Sequence, residues 1–213
     1  MIVAPKHMMS YAGQTVYGFG YDHSKIAYTF NSIGYRSMME YDKNPDVVIL
    51  GNSVSFGIGL PYDKIFSSLL AAKSQKLVYN FSVGCYVHSN DYQLELLKLV
   101  LSRYHPKAVI LQINNLCNIL GHGKHTVRTT NHALALKHFS TFYSSLQKLT
   151  EDINLIMLYW DDVEYNISSE IKDKIAIYNK LKVDTAINTL SYTFGPKSHK
   201  LIAGNLYKML NFN

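Results

Sequence analysis

The feature that most constrains this chain is a run of short apolar segments, each followed by a stretch with helical spacing. Asp46-Val-Val-Ile-Leu50, Lys76-Leu-Val-Tyr-Asn80, Lys107-Ala-Val-Ile-Leu-Gln-Ile113 and Asn154-Leu-Ile-Met-Leu-Tyr-Trp160 read as strands buried on both faces. A weaker fifth strand is read at Lys182-Val-Asp-Thr-Ala186. Between them, Phe66, Leu69 and Leu70, then Leu94, Leu97 and Val100, then Leu134, Phe139, Phe142 and Leu146 recur near helical spacing. Strands bridged by helices in this way predict an α/β fold, a three-layer α/β/α sandwich around a mostly parallel five-stranded sheet. In such a sheet, ligands sit at the carboxyl ends of the strands. Pro196 opens a closing helix running to about Leu210.

The chain divides into a lead-in over 1–45 and an α/β domain over 46–213. The lead-in holds Tyr11, Gly13, Tyr17, Gly18, Gly20 and Tyr21 without a long periodic segment. It is expected to pack on the domain, because so many aromatics are costly to leave in water. With 213 residues, 47% apolar and only 17% charged, the composition excludes disorder and coiled coil. No stretch approaches the roughly 18 uninterrupted apolar residues of a membrane span, and the opening lacks the layout of a secretory leader. The expectation is a soluble, cytoplasmic chain whose two cysteines, Cys85 and Cys117, are reduced. The formal charge is +6, but the lysines are scattered and the densest group, Lys172 to Lys182, is interleaved with acids. This argues for a solvated face and against a nucleic-acid partner. His122 and His125 stand three apart without a third ligand at zinc spacing, so no metal and no cofactor is expected.

Each of the first three strands ends in chemically useful residues. Gly51-Asn52-Ser53-Val54-Ser55-Phe56-Gly57-Ile58-Gly59 is a glycine-framed turn that holds the Ser53 hydroxyl above the sheet edge. Such a serine acts as a nucleophile if a base is within reach, with turn N–H groups to stabilise an oxyanion; otherwise it merely caps the turn. The second strand leads to Ser82-Val-Gly84-Cys85, where a backbone N–H faces the same crevice. The third leads to Gln112-Ile-Asn114-Asn115, whose carboxamides either donate to an oxyanion or pin a loop.

The order of these blocks resembles the SGNH hydrolase superfamily, the GDSL esterases. That family has Gly-Asp-Ser after strand one, a glycine turn after strand two, Gly-x-Asn-Asp after strand three and Asp-x-x-His near the C terminus. Asn31-Ser-Ile-Gly-Tyr-Arg36 is similar to its Asn-x-x-Gly-Phe-Arg lead-in, and Phe56-Gly57-Ile58-Gly59 to its continuation after the serine. The resemblance implies a flavodoxin-like sandwich. It also implies Ser53 as nucleophile and first oxyanion donor, the N–H of Gly84 or Cys85 as second and Asn114 as third. The substrate implied is a small-molecule ester or an acylated glycan.

The departures are Asn52 for Asp, Gln112 for Gly, Asn115 for Asp, and the loss of Asp-x-x-His. Two alignments of the last block stay open. In one, His199 is the base of a Ser53–His199 dyad. In the other, Ser198-His199-Lys-Leu-Ile-Ala203 matches the family's Gly-His-x-x-Ile-Ala, so that Thr193 takes the base position and Leu190 the acid position. Neither of those moves a proton at neutral pH, and the chain is then a degenerate binding or scaffold module. A base from His88 or the 121–125 loop is the remaining alternative.

Overall fold

A computed structural model describes the chain except for residues 1, 3, 21, 85–89, 114–117, 121–126, 129–131, 160–174, 178–184, 189–190 and 212–213. The central sheet is built from β3 (Val47–Leu50), β4 (Val78–Asn80), β5 (Ala108–Ile113), β8 (Asn154–Tyr159) and β9 (Ile175–Ile177), in the order β4-β3-β5-β8-β9. Every neighbouring pair is parallel, and β6 (Asn118–Leu120) pairs antiparallel with β7 (Val127–Arg128) in a separate sheet. The fifth strand is therefore Ile175–Ile177, not 182–186. Thr185–Asn188 (β10) instead forms an antiparallel hairpin with Ser191–Phe194 (β11), outside the main sheet. Thr185–Asn188 is a strand, but sequence pattern alone does not say which sheet a strand joins.

Side chains alternate across the strands, so each face of the sheet has its own core. Val48, Leu50, Val109, Leu111 and Met157 meet Leu97 and Val100 of α4 (Asn90–Leu101) and Phe139 and Leu146 of α5 (His132–Leu149). Val47, Ile49, Ile110 and Ile156 meet Leu70 of α3 (Phe66–Ser74) and Ile202 and Leu206 of α6 (Pro196–Met209). These are the three layers. No described helix is long and apolar enough to cross a membrane.

The first 45 residues contribute a four-residue helix α1 (Lys6–Met9) and the antiparallel hairpin β1 (Thr15–Phe19) with β2 (Lys25–Thr29). Ile2, Met8, Phe30, Tyr35 and Tyr41 enter the same core as α4 and α5. Tyr41 stacks on Tyr79 at 4.0 Å between ring centroids. Its hydroxyl donates to the Asn80 carbonyl at 3.0 Å and accepts the Asn80 N–H at 2.9 Å. Because β4 is an edge strand, its outer backbone groups need such partners, and the tyrosine supplies them.

Candidate active site

The turn after β3 is held from three directions. Gly51 has no room for a side chain: a Cβ there would stand 2.7 Å from Gln112 Cβ. This close approach lets the fully buried Gln112 reach across from β5. Its Oε1 accepts the N–H of Ser55 at 2.9 Å and of Asn52 at 3.2 Å, while its Nε2 donates to Asn52 Oδ1. Two departures from the family pattern, Asn52 and Gln112, thus face each other in one hydrogen-bonded pair. From β4, Asn80 Nδ2 donates to the Ser55 carbonyl at 2.7 Å.

The third brace comes from the lead-in. Arg36 is 2% exposed. Its Nη1 donates to the carbonyls of Phe56 and Gly57 at 3.1 and 2.6 Å, and its Nη2 to that of Leu60 at 2.5 Å. The guanidinium carbon lies 4.3 Å from the Tyr28 ring centroid and 5.4 Å from that of Phe56. Carbonyl dipoles and ring faces take the place of a carboxylate here. Burial lowers the Arg36 pKa to about 10, which leaves it charged at neutral pH. Gly57 closes the segment at φ 78°, and a Cβ there would collide with Ile65 Cγ2.

Within this frame Ser53 begins the short helix α2 (Ser53–Phe56) and is half-buried. Its carbonyl accepts the N–H groups of Gly57 and Ile58 at 3.0 and 3.1 Å. Among the described residues nothing bonds its hydroxyl or its N–H, and α2 has no side-chain cap. A serine present only to cap a turn bonds a backbone N–H with its side chain. Ser53 does not.

The end of β4 runs beside this turn. Phe81 N–H donates to the Ile49 carbonyl at 2.7 Å and Val83 N–H to that of Gly51 at 3.1 Å, extending the parallel pairing past the strand. Gly84 then packs on Phe56 so closely that a Cβ would stand 2.9 Å from its ring. Gly84 therefore lies against Phe56, in the short helix that Ser53 begins, at the carboxyl end of β3 and β4. Cys85 and Asn114 lie outside the described residues, as do His88 and the 121–125 loop.

His199 sits in the first turn and a half of α6 and is 1% exposed. Its Nδ1 accepts the N–H of Phe66, the first residue of α3, at 3.0 Å, and its ring stacks on Phe66 at 5.7 Å. An Nδ1 that accepts carries no proton, so the neutral ring keeps its proton on Nε2. That is the tautomer opposite to the one that takes a proton from serine through Nε2. β11, which contains Thr193, lies against α2. Among the described residues no cluster of His, Cys, Asp or Glu is arranged to hold a metal.

No protein-family model matches the chain, and no curated protein matches it. Solved structures do. A G-D-S-L-family lipolytic protein of Desulfitobacterium hafniense DCB-2 superposes with a TM-score of 0.50 at 15% identity, over 76% of this chain and 98% of its own. TesA gives 0.51 at 13% identity, over 78% and 97%. The chain has the SGNH hydrolase fold. A further neighbour is a carbohydrate esterase whose active site displays divergent catalytic and non-catalytic binding functions. It aligns at a TM-score of 0.52 and 12% identity, over 80% of this chain and 69% of its own.

Sequence reasoning missed the Asn52–Gln112 pair. Each residue reads as an isolated loss from a motif, and only the register of β3 on β5 brings them together.

Proposed function

We propose that the crevice takes a small ester or O-acyl group and that Ser53 is its acyl acceptor, making the chain an SGNH-type ester hydrolase without proton transfer to His199. The observation that carries this is the Ser53 turn itself. Gln112, Asn80 and Arg36 fix its backbone, while Ser53 itself is only half-buried and its hydroxyl is bonded to no described residue. Positioning of that kind serves a reacting group and gives a capping serine nothing.

In the proposed step the Ser53 oxygen adds to the ester carbonyl carbon, the C–O bond to the leaving group breaks, and the hydroxyl proton passes through solvent water to the departing oxygen, so that the alcohol leaves. Water then cleaves the acyl-serine and restores the hydroxyl. The Ser53 N–H and the Gly84 N–H are the donors the described residues offer to the carbonyl oxygen, with Cys85 N–H and Asn114 Nδ2 as the further donors the family resemblance implies. Without an imidazole base the turnover is slow, since general-base assistance contributes typically 10²–10⁴-fold.

A second reading, a binding module that has lost the chemistry, is favoured by the bond between His199 and Phe66. Hydrolysis of p-nitrophenyl acetate by wild type, Ser53→Ala and His199→Phe separates the two. Loss in Ser53→Ala with retention in folded His199→Phe supports the ester hydrolase. Equal rates in all three support the binding module, and loss in both variants restores the dyad.

A further inference from the structure

Helices α3 and α6 pack side by side on one face of the sheet, and between their outer surfaces runs a groove of about 860 Å³. Its apolar floor includes Leu69, Gly204 and Leu201, the last 41% exposed. Its rim carries Lys73 from α3 and Lys197, Lys200 and Lys208 from α6, all exposed. Neither helix contains a single acidic residue, and none lines the groove among the described residues. Positions 197, 200, 201, 204 and 208 fall on one stripe of a helix of 3.6 residues per turn, about 16 Å long.

The scattering of lysines in the sequence hides this cluster, because Lys73 and the α6 lysines are more than a hundred residues apart and only the fold joins them. The groove lies outside the Ser53 turn, and the inference does not depend on the reading of that turn.

We infer that this face docks on the surface of an anionic phospholipid bilayer. The ammonium groups of Lys73, Lys200 and Lys208, on flexible stems beside apolar Leu69 and Leu201, match headgroup phosphates and the glycerol or acyl carbon next to them. Nucleic acid is a poorer fit, because the lining has no arginine to form bidentate phosphate contacts and offers Leu69 and Leu201 where a polyanion needs neither.

Sedimentation with phosphatidylcholine vesicles, with and without about one-third phosphatidylserine, tests it. The expected result is binding to the mixed vesicles alone, weakening as salt rises. Lys200→Gln with Lys208→Gln should lower the partition coefficient roughly 25-fold, at about fivefold per lysine, and Leu201→Asp should lower it further without changing the melting temperature. Equal binding to both vesicle types, no binding, or full retention by the folded lysine variant would overturn the inference. So would tighter binding to a single-stranded oligonucleotide that Leu201→Asp leaves unaffected.

Discussion

The imidazole Nδ1 of His199 accepts the backbone N–H of Phe66 at 3.0 Å, tying the start of α6 to the start of α3. Ile65, the residue before that helix, makes no side-chain cap bond. The first N–H groups of a helix have no partner inside it, so the histidine does for α3 what a Ser or Asp usually does from within the sequence. The bond spans 133 positions.

His199→Phe keeps the ring against Phe66 and removes the acceptor. It is expected to cost about 1–3 kcal/mol, the usual penalty of an orphaned buried N–H. His199→Ala also empties a buried ring site and should cost more, about 3–5 kcal/mol. Urea titration measures both. A catalytic histidine without this role would leave stability unchanged in the Phe variant.

Gln112→Leu removes the acceptor shared by Ser55 and Asn52 while roughly keeping the volume. Two buried N–H groups lose their partner, for about 2–4 kcal/mol. Because these groups hold the Ser53 turn, ester turnover should fall in protein that is still folded. A variant with wild-type turnover would remove Gln112 from the account.

Arg36→Lys tests the guanidinium fork. Three carbonyls from Phe56 to Leu60 depend on two Nη atoms, and a single ammonium cannot reproduce that geometry. The expected loss is about 2–4 kcal/mol by the same orphaned-group reasoning, with Arg36→Met costing at least as much. Thermal unfolding decides.

Alkaline pH should unfold the protein. Burial raises the phenol pKa of Tyr35, Tyr41, Tyr79, Tyr92 and Tyr104 above the ordinary 10.0. The native state keeps these protons while the unfolded chain releases them, so the stability they protect is intact below about pH 10 and lost as pH rises beyond it. Arg36, with its pKa lowered to about 10, works in the opposite direction as pH rises further, but one arginine opposes five tyrosines. Tyrosinate absorbance should show a step coincident with loss of circular dichroism, as the buried phenols are released. A single smooth titration with the fold intact would contradict the assignment.

Much of this was legible in the sequence. The first four strands and the closing helix follow from apolar runs, spacing and Pro196, because each signal is local. The Ser53 turn was legible for the same reason, through glycines that its tight geometry needs. The fifth strand is not legible in this way, since Thr185–Asn188 is a strand but pairs with Ser191–Phe194 in a hairpin rather than joining the main sheet. The Arg36 contacts, the Asn52–Gln112 pair and the cap at Phe66 link residues 20 to 133 positions apart. No local pattern encodes which buried donor meets which acceptor at such separations.

The measurement that bears most directly on Ser53 is mass spectrometry of the protein after incubation with p-nitrophenyl acetate, with peptide mapping of any acyl group. An acetyl group on the peptide carrying Ser53, absent from Ser53→Ala and formed by His199→Phe, is the predicted result. An unmodified Ser53 in protein that still binds the ester, or an acetyl group that appears only when His199 is present, would contradict it.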